Sequence, residues 1–316
     1  MPESATIPRG RFAPSPSGPL HFGSLIAAVG SFLDIRTRGG QWLLRMEDVD
    51  TPRVVPGAAD NILATLDAFG LHWDGPVWYQ SQRFEAYEAA LACLREHGLV
   101  FPCTCSRREL TAVAQRGSAG LIYPGICRQA PTHPERRAAL RLRVDDRDIA
   151  IDDELQGHFA QNLASEIGDF VLRRADGIYG YQLAVVVDDH AQGITRVVRG
   201  SDLLDSTPRQ CYLQGLLGFP RPDYLHLPVA VGGNGKKLSK QTQATPVDPR
   251  NPRPALLAAL DFLGQSPPPA LHHATLSGIW QWALQHWQPR TIPALMARRP
   301  TPLPESARMD SPSQGN

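Results

Sequence analysis

Apolar residues recur at helical spacing in the first part of the chain. The pattern predicts helices over Leu25–Arg36, Gly57–Phe69 and Phe84–His97. The segment Gln41–Glu47 between the first two is short, apolar and ends in charge, which is typical of a strand. This order of helices and strands predicts an α/β fold with an open, mostly parallel sheet.

The pattern changes near Val100. From there to Tyr179 it is irregular and contains short strands such as Leu140–Val144, so we interpret this part as an inserted subdomain. The earlier rhythm resumes at Tyr181–Asp189, where a nearly continuous apolar run predicts a buried parallel strand. The inserted part therefore divides the α/β unit into two halves.

The rest of the chain continues with alternating elements. The stretch GITRVVRGSDLL predicts a strand, a turn and the start of a helix, with Ser201 or Asp202 as N-cap. Further helices are predicted over Ser206–Leu217, Pro254–Leu263 and Ser277–His286. Residues 301–316 contain little that a core would bury, and we expect them to be disordered.

Composition and charge limit the class of protein. No run approaches the roughly 18 apolar residues of a membrane span, and the N-terminus lacks a secretory pattern, so we expect a cytoplasmic protein. The net charge is +1, from 32 Lys+Arg against 31 Asp+Glu. Nucleic acid would therefore have to bind through a local patch rather than bulk charge. Candidates for that patch, or solvated surface arginines, are Arg107–Arg108, Arg136–Arg137, Arg141, Arg143 and Arg173–Arg174.

A loop rich in proline, glycine and serine, RFAPSPSGPLHFGS, precedes the first predicted helix. Its small residues, which include Ser15, Gly23 and Ser24, let a ligand approach the backbone closely. The N-terminus of the helix favours an anion, and His21 adds a donor. These features suit a triphosphate, although such a loop taken alone favours an irregular coil with one surface histidine.

A second loop, GGNGKKLSKQ, is rich in glycine and lysine. Lysines such as Lys237 and Lys240 can follow charge as it moves onto a leaving pyrophosphate. Alone, this segment is equally compatible with a solvated basic turn. Together the two loops resemble the HIGH and KMSKS signatures of class I aminoacyl-tRNA synthetases. Ser24 stands where HIGH has its second histidine, and Gln241 stands where KMSKS has its last serine.

Three longer stretches resemble the catalytic half of glutamyl- and glutaminyl-tRNA synthetases: RFAPSPSGPLHFGS, LLRMEDVDTPR and GITRVVRGSDLL. Arginine forms paired hydrogen bonds to carboxylates, which suits an acidic amino acid. The resemblance implies that glutamate is bound by Arg11, Ser15, Glu47, Tyr181 and Arg199, with Glu47 on the ammonium group. For Asp48 and Asp50 it leaves two roles open, in the structure of the loop or near the ribose.

The resemblance also implies a reaction. A carboxylate oxygen of the substrate attacks the α-phosphorus of ATP, and the enzyme aligns the groups and neutralises charge. The expected catalytic residues are His21, Lys237 and Lys240. The expected ATP contacts are His21, Gly23, Ser24 and Lys240, with Mg²⁺ carried by ATP.

Only 75 residues follow Gln241, fewer than an anticodon-binding domain of the usual kind requires. The chain therefore resembles a family of short paralogues, the glutamyl-Q tRNA(Asp) synthetases. That resemblance implies transfer of glutamate to queuosine in the anticodon of tRNA(Asp), and we expect a monomer. The implied layout is 1–99 and 181–245 for the two halves of a Rossmann-like catalytic domain, 100–180 for the insertion, 246–300 for a short helical region and 301–316 for the tail.

Cys103, Cys105 and Cys127 are clustered within the predicted insertion. Three thiolates suit tetrahedral Zn²⁺ but need a fourth ligand, and three buried free thiols are the alternative. The short paralogues have the pattern C-x-C followed by Y-x3-C, which implies Tyr123 as the fourth ligand of a structural zinc site. His133 is the conventional substitute.

Other functions are compatible with parts of this pattern. A truncated glutamyl-tRNA synthetase would charge the 3′ end of tRNA(Glu), and acceptor identity distinguishes it. A catalytically inactive synthetase-like module would only bind RNA or a protein, and would not need the whole set of expected site residues. A nucleotidyltransferase of similar fold would share the phosphate loops without the stretches around Glu47 and Arg199.

Overall fold

The structure is a computed structural model that describes residues 7–117, 120–232, 237 and 246–300. Lys240, Gln241 and the tail 301–316 lie outside the described residues, so the predictions made for them stay predictions. The α-helices are α1 Phe22–Arg36, α2 Ala58–Ala68, α3 Phe84–Glu96, α4 Arg107–Val113, α5 Leu163–Glu166, α6 Tyr181–Ala191, α7 Thr207–Leu217, α8 Pro252–Phe262 and α9 Leu276–His286.

The strands are short, and most of them pair within small sheets. They are β1 Arg9–Phe12, β2 Gln41–Met46, β3 Trp78–Tyr79, β4 Val100–Cys103, β5 Arg116–Gly117, β6 Gly120–Leu121, β7 Ala139–Leu142, β8 Asp148–Asp153, β9 Gly157–Asn162, β10 Val171–Arg173, β11 Arg196–Gly200, β12 Asp223–Leu227, β13 Val229–Ala230 and β14 Ala297–Arg298. Single 3-10 turns cover Thr51–Arg53, Gln80–Gln82, Ser201–Ser206, Pro269–His273 and Pro289–Thr291.

Parallel pairing dominates the strands that flank α1. β2 pairs in parallel with β1 and β3, and β11 pairs in parallel with β12. β1 lies against β11, and the backbone N–H of Thr195 donates to the carbonyl of Arg9. Helix α1 packs on both groups of strands. The predicted α/β architecture with a mostly parallel sheet is confirmed.

The strands between residues 100 and 180 have a different character. β7 pairs antiparallel with β4 and β10, and β8 forms an antiparallel hairpin with β9. The hairpin contacts β12, and the backbone N–H of Glu154 donates to the carbonyl of Tyr224. The segment that we interpreted as an insertion therefore contributes antiparallel pairs alongside the parallel ones.

The prediction of a strand at Tyr181–Asp189 is wrong, because this segment forms α6. Every residue from Gln182 to Asp189 is buried, so the helix has no exposed face on which polar residues would reveal a helical period. A short apolar run of this kind cannot be assigned to strand or helix from periodicity alone.

The predicted N-caps at Ser201 and Asp202 are also wrong. Both residues lie in a 3-10 turn, and α7 begins at Thr207. The Ser201 hydroxyl donates to the carbonyl of Met296, and the Asp202 carboxylate accepts from Lys237. Their side chains are thus engaged with distant segments instead of the first turn of a helix.

The largest core cluster joins α1, β1, β2, α8 and α9. Trp42 is fully buried there, and its indole N–H donates to Ser31. At Gly30 of α1, an added Cβ would lie 2.5 Å from Leu227 Cδ1, so glycine permits the close approach of α1 to β12. Among the described residues, no helix combines the length and the apolar character that crossing a membrane requires.

Candidate active site

A cleft of about 200 Å³ opens where strands β1, β2, β11 and β12 end. The carboxyl ends of parallel strands are the usual place for a ligand in an open α/β sheet. The cleft brings together nine residues expected from the sequence to bind glutamate or ATP or to act in catalysis: Arg11, Ser15, His21, Gly23, Ser24, Glu47, Tyr181, Arg199 and Lys237.

The N-terminus of α1 forms one wall of the cleft. The helix begins at Phe22, three residues earlier than predicted, because the His21 side chain caps it. His21 Nδ1 accepts from the backbone N–H of Ser24 at 3.3 Å, so Nε2 carries the proton of the neutral ring and donates to Ser24 Oγ at 3.2 Å. Gly23 and Ser24 therefore lie in the first helical turn, whose N–H groups favour an anion.

The base of the cleft contains a network of arginines and carboxylates. Asp189 accepts from Arg11 Nε at 3.1 and 3.3 Å, and it forms an ion pair with Arg45 Nη2 at 2.8 Å. Burial alone would raise the pKa of Asp189, but Arg11 and Arg45 outweigh burial and lower it. The carboxylate therefore stays ionised and fixes both guanidinium groups.

Glu47 lies beside this network with its carboxylate 3.5 Å from Arg45 Nη2. Burial raises the pKa of Glu47, and the neighbouring arginines only partly oppose this. Burial and the charge of Glu47 also raise the pKa of Tyr181, so its hydroxyl remains a neutral donor. A cation bound next to Glu47 would stabilise its ionised form, which suits an ammonium group.

Arg199 occupies the opposite wall of the cleft at the end of β11. Its Nε donates to His226 Nε2 at 3.1 Å, and its Nη2 donates to Thr207 Oγ1 at 2.8 Å and to Gln210 Oε1 at 2.9 Å. Its Nη1 is buried and has no hydrogen-bond partner among the described residues. A buried donor without a partner is costly, so a ligand carboxylate at this point would be stabilised.

Lys237 reaches the cleft from the second signature loop. Its ammonium group forms a 2.5 Å ion pair with Asp202, and both side chains are partly exposed. The pair holds a cation beside the wall formed by the first turn of α1. Lys240, the other expected catalytic lysine, lies outside the described residues.

The three clustered cysteines meet in the structure. The sulfur atoms of Cys103, Cys105 and Cys127 lie within 4.8 Å of one another. Burial and the neighbouring thiols raise the pKa of Cys105 to about 11, whereas for Cys127 hydrogen bonds from Thr132 and Thr104 outweigh burial and lower the pKa to about 5. Thiols crowded in this way form a set of ligands that could hold a metal ion.

Tyr123 lies in the same cluster. Its Oη is 3.4 Å from Cys103 Sγ and accepts from the backbone N–H of Cys127 at 2.8 Å. His133 is the alternative ligand, but its ring nitrogens lie 3.2 Å from Glu109 and 3.6 Å from Glu135. Of these two candidates, Tyr123 is therefore the one whose side chain contacts a thiol of the cluster.

Two questions left open by the sequence concern the role of Asp48 and the candidate arginine patch for nucleic acid. Asp48 accepts from the backbone N–H and the hydroxyl of Ser81 at 2.8 and 2.6 Å, which is a structural contact. Arg141 is buried against the ring of Tyr123, with its guanidinium carbon 3.9 Å from the ring centre. Arg141 therefore cannot belong to an exposed patch for nucleic acid.

Sequence reasoning missed several residues that organise the cleft. Asp189 lies at the end of an apolar run that was interpreted as a strand, although two adjacent aspartates after such a run could have indicated a buried ionic contact. Asp153 and His226 form a buried pair at 2.6 Å behind Arg199, yet they are 73 residues apart. No local pattern connects the members of such a pair.

Comparison with known proteins agrees with this geometry. Residues 9–272 match the family model described as tRNA synthetases class I (E and Q), catalytic domain. The chain is 58% identical over 287 residues to the glutamyl-Q tRNA(Asp) synthetase of Dechloromonas aromatica, covering 90% of this chain and 95% of that protein. It is 56% identical over 306 residues to the protein of the same name from Aromatoleum aromaticum, covering 96% of each.

A solved structure is similar as well. The crystal structure of glutamate-tRNA synthetase from Elizabethkingia anophelis superimposes with a TM-score of 0.73 at 25% identity, over 92% of this chain and 68% of that one. The α/β fold is thus that of a class I synthetase catalytic domain. With a family model that spans most of its length and relatives above 50% identity, this chain belongs to the class I tRNA synthetase family of the E and Q type.

Proposed function

We propose that this chain uses ATP to activate L-glutamate as glutamyl-adenylate and transfers the glutamyl group to queuosine in the anticodon of tRNA(Asp). The observation that carries the proposal is that Arg199, whose Nη1 is buried without a partner among the described residues, lines the same cleft as Glu47. A dicarboxylic amino acid offers an anion for the first and a cation for the second. The names of the relatives support the same substrates.

The proposed binding of glutamate uses the polar groups of the cleft. Arg199 and Arg11 bind carboxylates, and the hydroxyls of Tyr181 and Ser15 donate hydrogen bonds. Glu47 pairs with the α-ammonium group, whose charge compensates the burial that raises the Glu47 pKa. Asp189 fixes Arg11 and is not among the residues that line the cleft.

In the proposed reaction, one carboxylate oxygen of glutamate attacks the α-phosphorus of ATP, and the bond to the β-phosphate breaks. Pyrophosphate leaves with the Mg²⁺ that ATP carries. In the proposal, Gly23, Ser24 and His21 contact the phosphoryl oxygens, while Lys237 and Lys240 neutralise the leaving group. A hydroxyl of queuosine then attacks the acyl carbon, and AMP leaves. No covalent intermediate with the protein is required.

We also propose that Zn²⁺ binds to Cys103, Cys105, Tyr123 and Cys127 as a structural ion. The proximity of the three thiols, with the Tyr123 hydroxyl beside Cys103, supports this, because thiols that bind Zn²⁺ are deprotonated and the ion balances their charge. The ion would tie β4 to the segment that contains Tyr123 and Cys127. The layout that goes with this function has catalytic halves at 1–99 and 181–245, a zinc-containing insertion at 100–180 and a short helical region at 246–300.

The acceptor is tested by labelling. Purified protein is incubated with ATP and radiolabelled glutamate, together with queuosine-containing tRNA(Asp), tRNA(Asp) without queuosine or tRNA(Glu). We expect label only on the queuosine-containing tRNA. Label on tRNA(Glu) would instead indicate an enzyme that charges the 3′ end, and the acceptor proposal would be wrong.

Glutamate-dependent exchange of pyrophosphate into ATP tests the first step separately. The Glu47→Gln variant tests the contact to the ammonium group, because it keeps the shape of the cleft and removes the charge proposed to pair with ammonium. The KM for ATP serves as the internal control. We expect its KM for glutamate to rise while its KM for ATP stays near that of the wild type. Absence of exchange in folded, zinc-loaded wild-type protein would exclude the proposed activation.

A further inference from the structure

We propose that Asp153 and His226 are positioning residues, which hold the Arg199 side chain for the amino-acid substrate while leaving its charge available to a substrate carboxylate. The inference rests on the proposed function, since it assigns Arg199 to glutamate. It concerns residues that lie behind the cleft wall and outside the set expected from the sequence.

Hydrogen bonds connect the three side chains in one direction. Arg199 Nε donates to His226 Nε2 at 3.1 Å, and the opposite ring nitrogen, Nδ1, is 2.6 Å from Asp153 Oδ2. Because a guanidinium only donates, Nε2 must accept, and the ring proton is therefore on Nδ1, from where it donates to Asp153. All three side chains are buried.

The imidazole separates two opposite charges. Burial lowers the pKa of His226 to about 4, so the ring is neutral at physiological pH. Among the described residues, Arg199 forms no ion pair with a carboxylate, whereas Arg11 and Arg45 both pair directly with Asp189. Arg199 thus receives a fixed orientation from its neighbours without being neutralised by them.

Asp153 is itself firmly held in the turn of the β8–β9 hairpin. Its carboxylate accepts from the backbone N–H groups of Leu155 at 3.0 Å, Gln156 at 2.8 Å and His226 at 3.1 Å. Backbone donors cannot swing away as side chains can. The hairpin therefore fixes His226, and His226 fixes the Nε edge of Arg199, which lines the cleft.

Two substitutions at one position separate the two contacts of the ring. The amide of His226→Gln extends to the place of Nε2 and keeps an acceptor for Arg199. The shorter amide of His226→Asn reaches the place of Nδ1, so it keeps the contact to Asp153 and loses the one to Arg199. His158→Gln, at an exposed histidine of the same hairpin, serves as control.

The assay is pyrophosphate exchange with KM measured separately for glutamate and ATP, alongside the melting temperature. We expect His226→Asn to raise the KM for glutamate by about tenfold or more, because hydrogen bonds to a charged group are among the stronger ones. We expect His226→Gln to stay within about threefold of the wild type, with the KM for ATP unchanged in both. Equal effects of the two substitutions, or a parallel rise in the KM for ATP, would overturn the inference.

A measurement on the wild type is independent of how the variants fold. Nitrogen-15 NMR of histidine-labelled protein distinguishes ring tautomers, and the signal of His226 is assigned by its loss in His226→Gln. We expect a neutral ring with the proton on Nδ1 between pH 6 and 8, whereas a proton on Nε2 or a charged ring would refute the geometry. If wild-type protein shows no glutamate-dependent exchange, the proposed function fails, and the NMR result still decides whether the relay to Arg199 exists.

Discussion

Replacing Asp189 with asparagine removes the carboxylate that two arginines share beneath the cleft. In the wild type, its oxygens accept two hydrogen bonds from Arg11 and one from Arg45. The amide of Asp189→Asn keeps a single acceptor oxygen and directs an NH₂ group towards one of the guanidiniums. Arg45 retains more distant contacts to Glu47 at 3.5 Å and to Asp188 at 3.9 Å.

The expected loss in the free energy of unfolding follows from the guanidinium groups that stay buried without their carboxylate partner. Arg11 and Asp189 have side-chain exposures of only 4% and 9%, so water cannot take the place of the lost carboxylate. Breaking a buried ion pair by removing one partner costs about 3–5 kcal/mol. The remaining acceptor oxygen and the contacts of Arg45 favour the lower end, and we expect a loss of about 3 kcal/mol in the free energy of unfolding.

Urea unfolding followed by circular dichroism at pH 7 measures this loss. The matched control is Asp152→Asn, whose side chain is 91% exposed and, within the described part of the chain, forms an ion pair only with the exposed His158, so we expect a change below about 0.5 kcal/mol. If Asp189→Asn unfolds within about 1 kcal/mol of the wild type, the network does not hold the base of the cleft and the reasoning is refuted.

The loss of stability in Asp189→Asn is also expected to depend on pH. The folded-state pKa of Asp189 lies below its ordinary value, so the stabilisation is complete above the unfolded pKa of about 3.9 and disappears as pH falls through the lowered value. We therefore expect the difference between the wild type and Asp189→Asn to be constant from pH 5 to pH 7 and to shrink below about pH 4. A difference that grew towards acid would contradict the assigned sign.

Three further outcomes are expected. Arg199→Lys should raise the KM for glutamate by about tenfold or more in pyrophosphate exchange and leave the KM for ATP unchanged, because lysine lacks the separate N–H groups with which arginine can bind His226 and the substrate at once. An unchanged KM for glutamate would show that Arg199 does not bind it. Lys237→Ala should slow pyrophosphate exchange by about a hundredfold, because it removes a charge that stabilises the leaving group. The melting temperature should not change, since this lysine is partly exposed, and exchange at the wild-type rate would exclude Lys237 from catalysis. Cys127→Ser should lower the zinc content measured by atomic emission by at least about tenfold, whereas Cys93→Ser, outside the cluster, should leave the zinc content unchanged. Full zinc content in Cys127→Ser would refute the proposed site.

Much of the fold could be predicted where the sequence shows one clear period. Helices α2 and α3 have one buried side and were predicted to within a few residues. Helix α6 was mistaken for a strand because neighbouring segments bury it all round, which removes the alternation on which the prediction depends. The start of α1 was displaced because a histidine is an uncommon N-cap, and His21 was interpreted only as a ligand for phosphate.

The residues lining the cleft were easier to predict than those that support them. Arg11, Glu47 and Arg199 lie in long motifs whose residue types already suggest contact with a charged substrate. Asp153 and His226 lie in ordinary stretches of sequence, and only the packing of the β8–β9 hairpin against β12 brings them together. Support of this kind depends on tertiary contacts, so local pattern and composition carry no signal for it.

The β8–β9 hairpin limits how this enzyme can be recombined with its relatives. Besides Asp153, it supplies Glu154 to an ion pair with Arg196, which also binds Asp34 of α1. A chimaera that exchanges only residues 100–180 would replace Asp153 and Glu154 and leave their partners, His226 and Arg196, in the recipient. Successful grafts must therefore transfer the hairpin together with positions 34, 196 and 226, because its contacts make it a structural part of the catalytic sheet.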